Sequence, residues 1–215
     1  DVPAPGAGTS SVLGEAAEGM RALRDRPWIA WIIAAAMIHL LFAIAPYEIL
    51  TPLIAEEVYG SVAIYGWLLA AFGIGAGGGA AVGSRVRSRQ PGAIAVLALV
   101  PFCVLLTALA LEVPLAALIG ILVIAGAGEA LFDILWTTGL QRDVPDELLS
   151  RVFSLDWFGS LALLPLGLAL TGPAVDELGR EPVLLFGAFV ALATLLPLLA
   201  SDSVRRFSSR PAEAA

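Results

Sequence analysis

A chain of 215 residues that is 59% hydrophobic and only 14% charged, with a mean hydropathy of +0.88, is far more apolar than soluble domains, which lie at roughly 45–50%. It reads as an integral membrane protein. The net charge of −7, with signs separated along the chain, argues against nucleic acid as a partner. The lone cysteine, Cys103, sits inside an apolar run, so no disulfide framework and no metal-ligand cluster is expected. It reads as a small apolar filler, and no cofactor is implied.

Asp1 to Ser11 is rich in Pro, Gly and Ser and lacks the apolar core of a signal peptide; it reads as a linker or a truncation point. Gly14 to Arg26, with Arg21 and Arg24, has a short amphipathic helical pattern suited to a membrane surface. Six apolar segments follow, each near the roughly 20 residues that a membrane-spanning helix needs. They are Trp28 to Leu50, Val62 to Gly83, Gly92 to Leu111, Pro114 to Thr138, Val152 to Val175 and Pro182 to Ala200. The organisation expected is therefore a cytoplasmic linker over 1–27, a six-helix lobe over 28–200 and a cytoplasmic tail over 201–215. Hydrophobicity is continuous rather than alternating, which excludes a β-barrel.

All twelve basic residues are arginines. In a six-span arrangement they fall on one side, Arg180 alone excepted, and the other side collects Glu56, Glu57, Glu112, Asp176, Glu177 and Glu181. By the positive-inside rule both termini are then cytoplasmic.

The stretch from Gly126 to Arg151 begins as the end of a long apolar segment carrying two carboxylates, Glu129 and Asp133, which share one helix face with Trp136. Ionisable groups inside lipid normally face a bundle interior or a watery cavity and mark an ion or substrate path. Proton binding or recognition of a cationic group is the reading they support. His39 lies at similar depth in the first span, as a further cavity candidate or a simple interhelical bond. Glu48 lies near the outer interface, and Asp156, about one turn from Arg151, reads as that arginine's local partner. The third and sixth spans carry no charge, which suggests that they face lipid.

Gly73 to Gly79 spell GIGAGGG inside an apolar helix rather than after a strand, which argues against a phosphate-binding loop. The spacing of Gly75, Gly79 and Gly83 fits close helix packing. Gly159, Pro165, Gly167, Gly172 and Pro173 make the fifth span bendable or closely packed. Ser160 could meet His39 as a nucleophile and base, and an intramembrane hydrolase is kept as a remote alternative.

EAAEGMRALRDRPWIAWII, the helix pair joined by GSRVRSRQPG, and LQRDVPDELLSRVFSLDWFGSLALLPLGLALTGP resemble the C-terminal half of a major facilitator superfamily transporter. The similarity is to the drug and siderophore exporter branch that includes the enterobactin exporter and the transmembrane secretion effector group. Gln141, Arg142, Val144, Pro145, Arg151 and Val152 are its most specific part. Gly83 to Arg89 looks like a degenerate glycine and basic loop that lacks the full motif's Asp.

The resemblance implies an all-α lobe of two three-helix inverted repeats, one of a pair in a transporter working by alternating access. Its first and fourth helices would line the cavity, which places His39, Glu129, Asp133 and Trp136 there, and its third and sixth would lie outside. What is then expected is a proton-coupled bacterial plasma-membrane exporter, not an enzyme, of drugs, siderophores or similar amphiphiles. Its partners would be the lipid bilayer, protons, the substrate and an N-terminal lobe of the same protein or a second copy. Arg85, Arg87, Arg89, Arg142, Arg151 and Asp156 would form cytoplasmic gate contacts. The alternative of another class is a half-size homodimeric or non-transport assembly subunit.

Overall fold

The structure, a computed structural model, describes residues 26–207, the side chains of residues 159–162 excepted. The amphipathic helix expected at Gly14 to Arg26, except for Arg26 itself, and the side chains of Gly159 and Ser160 lie outside the described residues. Six helices are long and apolar enough to cross a membrane. They are Pro27–Glu57, Ala63–Gly83, Pro91–Ala110, Leu115–Asp143, Asp146–Leu178 and Arg180–Ala200, called the first to sixth spans below.

Several spans outrun their apolar segments. The first continues through Pro52 to Glu57, the fourth to Asp143, and the fifth begins at Asp146. Hydropathy marks only the stretch lipid must cover, and a helix continues into water until something stops it. At the fourth-to-fifth junction that is Pro145, which has no N–H to donate, with an extended backbone of ψ 143°. Asp146 and Glu147 then suit the positive end of the next helix. The loop expected around Arg142 and Arg151 is thus only Val144–Pro145, and both arginines lie on helices. Between the fifth and sixth spans Gly179 alone makes the connection, at φ +87°, a value that glycine adopts without a Cβ penalty.

The second and fourth spans share the most extensive helix–helix contact among the described residues. A Cβ on Gly75 or Gly79 would sit inside the backbone of Val123 or Ala127. Gly126 answers from the fourth span, where a Cβ would meet the Phe72 carbonyl. Gly73, Gly77 and Gly78 face open space, so the glycine run separates into a contact face and a free face. Such close approach of backbones replaces the hydrophobic drive that lipid does not provide.

The third span does not lie wholly outside. It is the most buried of the six, with 56% of its apolar window inside the protein, and it packs against the fourth and sixth spans. Lipid tails and neighbouring helices are equally apolar, so absence of charge does not tell them apart. Cys103 is buried there without a disulfide.

The first span carries one turn of π-helix, Leu40–Ile44, between two α-helical halves. Glycines make room for it: a Cβ on Gly167 of the fifth span would crowd Leu41 and Ala45, and one on Gly187 of the sixth would meet the Phe42 carbonyl. Pro165, on the exposed side of the fifth span, does not interrupt that helix. Hydroxyls in the spans bond their own helices, Thr51 to Tyr47 O at 2.6 Å, Thr107 to Cys103 O at 2.9 Å and Thr171 to Gly167 O at 2.8 Å.

Both ends of the bundle are tied. At the arginine-rich end Arg26 Nε donates to the Asp143 carbonyl at 2.7 Å. The segment beyond Ala200, expected as a tail, folds back so that Phe207 is 2% exposed. Its ring stacks on Trp28 at 4.9 Å and occupies the space over Gly139. At the acidic end Arg180 pairs with Glu57 and Glu112, each at 2.5 Å. There Tyr59 donates to the Val113 carbonyl at 2.5 Å, and burial, then the Glu112 charge, push its phenol above the usual value.

Candidate functional site

A cavity of about 510 Å³ lies among the spans. The first span contributes Ile32 and His39, the fourth Glu129, Asp133 and Trp136, and the fifth Asp156. Leu195 and Leu198 of the sixth span, Leu99 of the third and Ala76 of the second complete the walls. The helical repeat explains the fourth span's share, because positions 129, 133 and 136 return to one face.

Glu129 is partly buried and has no hydrogen-bond partner among the described residues, and Asp133 is exposed. Trp136 is 5% exposed, edge-to-face with Trp28 at 5.8 Å and stacked with Phe132 at 6.5 Å. Its Nε1–H donates to Asp156 Oδ2 at 3.2 Å. Asp156, expected beside Arg151, is therefore a member of the cavity wall, joined across helices to the fourth span.

His39 Nε2 lies 2.7 Å from Thr194 Oγ1 and 3.1 Å from the Ala191 carbonyl, both on the sixth span. Both expectations for this residue meet here, since it bonds a neighbouring helix and lines the cavity. Thr194 carried no signal in the sequence: a threonine in an apolar helix is unremarkable, and 155 residues separate the partners.

The arginines expected at the cytoplasmic gate are not among the residues that line the cavity. Arg85, just past the end of the second span, donates back to that span's Ala81 carbonyl at 2.7 Å, and Arg87, Arg89 and Arg142 are exposed. Arg151 is partly exposed on the first turns of the fifth span. Among the described residues no group of three or more His, Cys, Asp or Glu side chains could hold a metal ion.

Six apolar helices around a cavity that carries carboxylates define a multi-pass membrane protein of transporter type. The chain belongs to the transmembrane secretion effector family of the major facilitator superfamily, whose description matches residues 6–211. No curated protein and no solved structure matches the chain. Membership makes this a transporter domain and not an enzyme, which removes the hydrolase alternative built on Ser160 and His39.

Proposed function

We propose that this chain is one lobe of a proton-coupled exporter of small amphiphilic molecules, with the coupling protons carried by Glu129 and Asp133. The observation that carries this reading is the cavity itself, which gathers three carboxylates and the chain's one histidine among apolar walls and, among the described residues, includes no arginine. Its volume falls within the roughly 300–1,000 Å³ range of small-ligand pockets. An excess of acid over base in an apolar chamber favours a cationic group on an aromatic or aliphatic body, which Phe132 and Trp136 would face. Proton and substrate then compete for the same carboxylates, and that competition is what exchange requires.

In this reading the lobe pairs with a second six-helix lobe, of the same protein or of another copy, and the two rock about the site. Residues 1–27 serve as a linker, and the arginine-rich end faces the cytoplasm of a bacterial plasma membrane, as the positive-inside rule favours. Arg85, Arg87, Arg89, Arg142 and Arg151 hold that end in one gate state. Drugs and siderophores with a basic group are the substrates this chemistry suits.

The test uses full-length protein in proteoliposomes with an imposed proton gradient and tetraphenylphosphonium as the probe. Glu129→Gln and Asp133→Asn are each expected to cut proton-driven flux by about tenfold or more, since one proton site is lost. Unchanged flux in the double variant defeats the proposal.

A further inference from the structure

Three atoms decide which nitrogen of His39 carries the proton. Thr194 Oγ1 lies 2.7 Å from the Ala191 carbonyl, and a carbonyl can only accept, so the hydroxyl proton is directed there. The hydroxyl then offers His39 Nε2 a lone pair at 2.7 Å, beside the same carbonyl at 3.1 Å. A nitrogen facing two lone pairs must itself be the donor. Nε2 is therefore protonated in the neutral ring, and the ring's own lone pair belongs to Nδ1, which has no partner among the described residues.

We propose that Nδ1 of His39 is the proton-exchanging atom of the cavity, held ready by Thr194, which acts as a positioning residue by clamping Nε2–H to the sixth span. The inference rests on reading the cavity as a proton site and identifies a member of that site and its orientation. The charged groups lining the cavity with His39 are Glu129 and Asp133 from the fourth span and Asp156 from the fifth. The second, third and sixth spans contribute only uncharged residues.

When a carboxylic acid of the cavity gives up its proton, directly or through water, its O–H pair stays on oxygen. The Nδ1 lone pair then forms the new N–H bond. Nε2–H is undisturbed, so the ring takes up charge without turning or releasing Thr194. The charge appears on the residue immediately before the π-helical turn Leu40–Ile44, where the two halves of the first span meet.

The chain has one histidine, so ring nitrogen signals from protein labelled with 15N-histidine belong to His39 alone. The experiment records them against pH for the full chain in lipid nanodiscs. The expected neutral ring is the Nε2–H tautomer, with Nδ1 taking up the proton on acidification. Thr194→Val, which keeps the shape and leaves Nε2 only the longer contact to the Ala191 carbonyl, is expected to weaken the preference and admit the second tautomer, and Thr194→Ser to restore the single form. Asp133→Asn and Asp156→Asn are expected to move the midpoint by about half a pH unit or more, because a nearby charge is removed.

A wild-type ring protonated on Nδ1 overturns the inference without any variant, and so does a tautomer and midpoint that ignore Thr194 and the carboxylates. The proteoliposome assay separates this from the function. Proton-driven flux with the wrong tautomer sinks the inference alone, whereas the expected tautomer without proton-driven flux upholds the clamp and sinks the coupling reading.

Discussion

Asp156 and Trp136 show how one contact changes a residue's meaning. From the fifth span alone the carboxylate belongs with Arg151, one turn away; in the folded lobe it accepts the indole N–H of Trp136. A hydrogen bond to a charged group contributes about 1.5–3 kcal/mol, and an unsatisfied buried partner costs as much. Trp136→Phe keeps a ring beside Trp28 but leaves the carboxylate without its donor. A double-mutant cycle of Trp136→Phe with Asp156→Leu, read by thermal unfolding in detergent, should show a coupling of about 1 kcal/mol or more. Additivity would mean that the bond does not form.

At this scale the sequence was informative about chemistry and silent about partners. Glu129, Asp133 and His39 stand out because charge inside an apolar run is rare and costly. Nothing local distinguishes Thr194 from Thr107, which bonds only its own helix. Pairings between residues 20 to 155 positions apart depend on how helices are placed, and the chain's local pattern does not contain that.

Among the elements, the glycines of the second span separate by face, and the two faces answer differently to the same change. Gly79→Ala places a methyl inside the backbone of Ala127, so the second and fourth spans must part, at a cost of about 1–3 kcal/mol. Gly77→Ala meets nothing within 4 Å and should be neutral or stabilise by about 0.5–1 kcal/mol through helix propensity. Melting temperatures of the purified variants, compared by fluorescence size exclusion, check both. Equal gains at the two positions would show that the run acts through helix propensity instead of contact. The contact face was legible here, because a four-residue spacing of small residues has few other uses. The receiving backbone was not, and neither was the inward placement of the third span, since apolar sequence describes a helix's surroundings only as not water.

Across the whole molecule the two ends of the bundle are secured by different physics. The Arg180 pairs with Glu57 and Glu112 are solvent-exposed, so each is worth about 0.2–1 kcal/mol and is screened by salt. Arg180→Gln should lower the melting temperature slightly at low ionic strength and not at all in 1 M salt. A salt-independent loss would place the arginine's role in packing. At the other end Phe207 is enclosed by Trp28 and Gly139. Phe207→Ala should cost on the order of 3 kcal/mol, the range for buried aromatic truncations, measured as a drop in unfolding midpoint with no dependence on salt. That the chain returns to the bundle after Ala200 was not readable from hydropathy, because Val204 and Phe207 among polar residues make no apolar run. The six spans and their charged ends were readable because lipid imposes length and polarity on each helix separately.

The π-helical turn at the middle of the first span is also a matter of counting. A residue advances an α-helix by about 100°, and a π-turn accommodates one residue more than the α-helical ladder would. Removing one residue from Leu40–Ile44 should therefore leave a continuous helix in which everything on one side keeps its heading. On that reading, chains of this family that differ in length within their first span should do so by one residue, and at this turn. In those that lack it, the residues facing the cavity before and after the turn would follow one uninterrupted stripe.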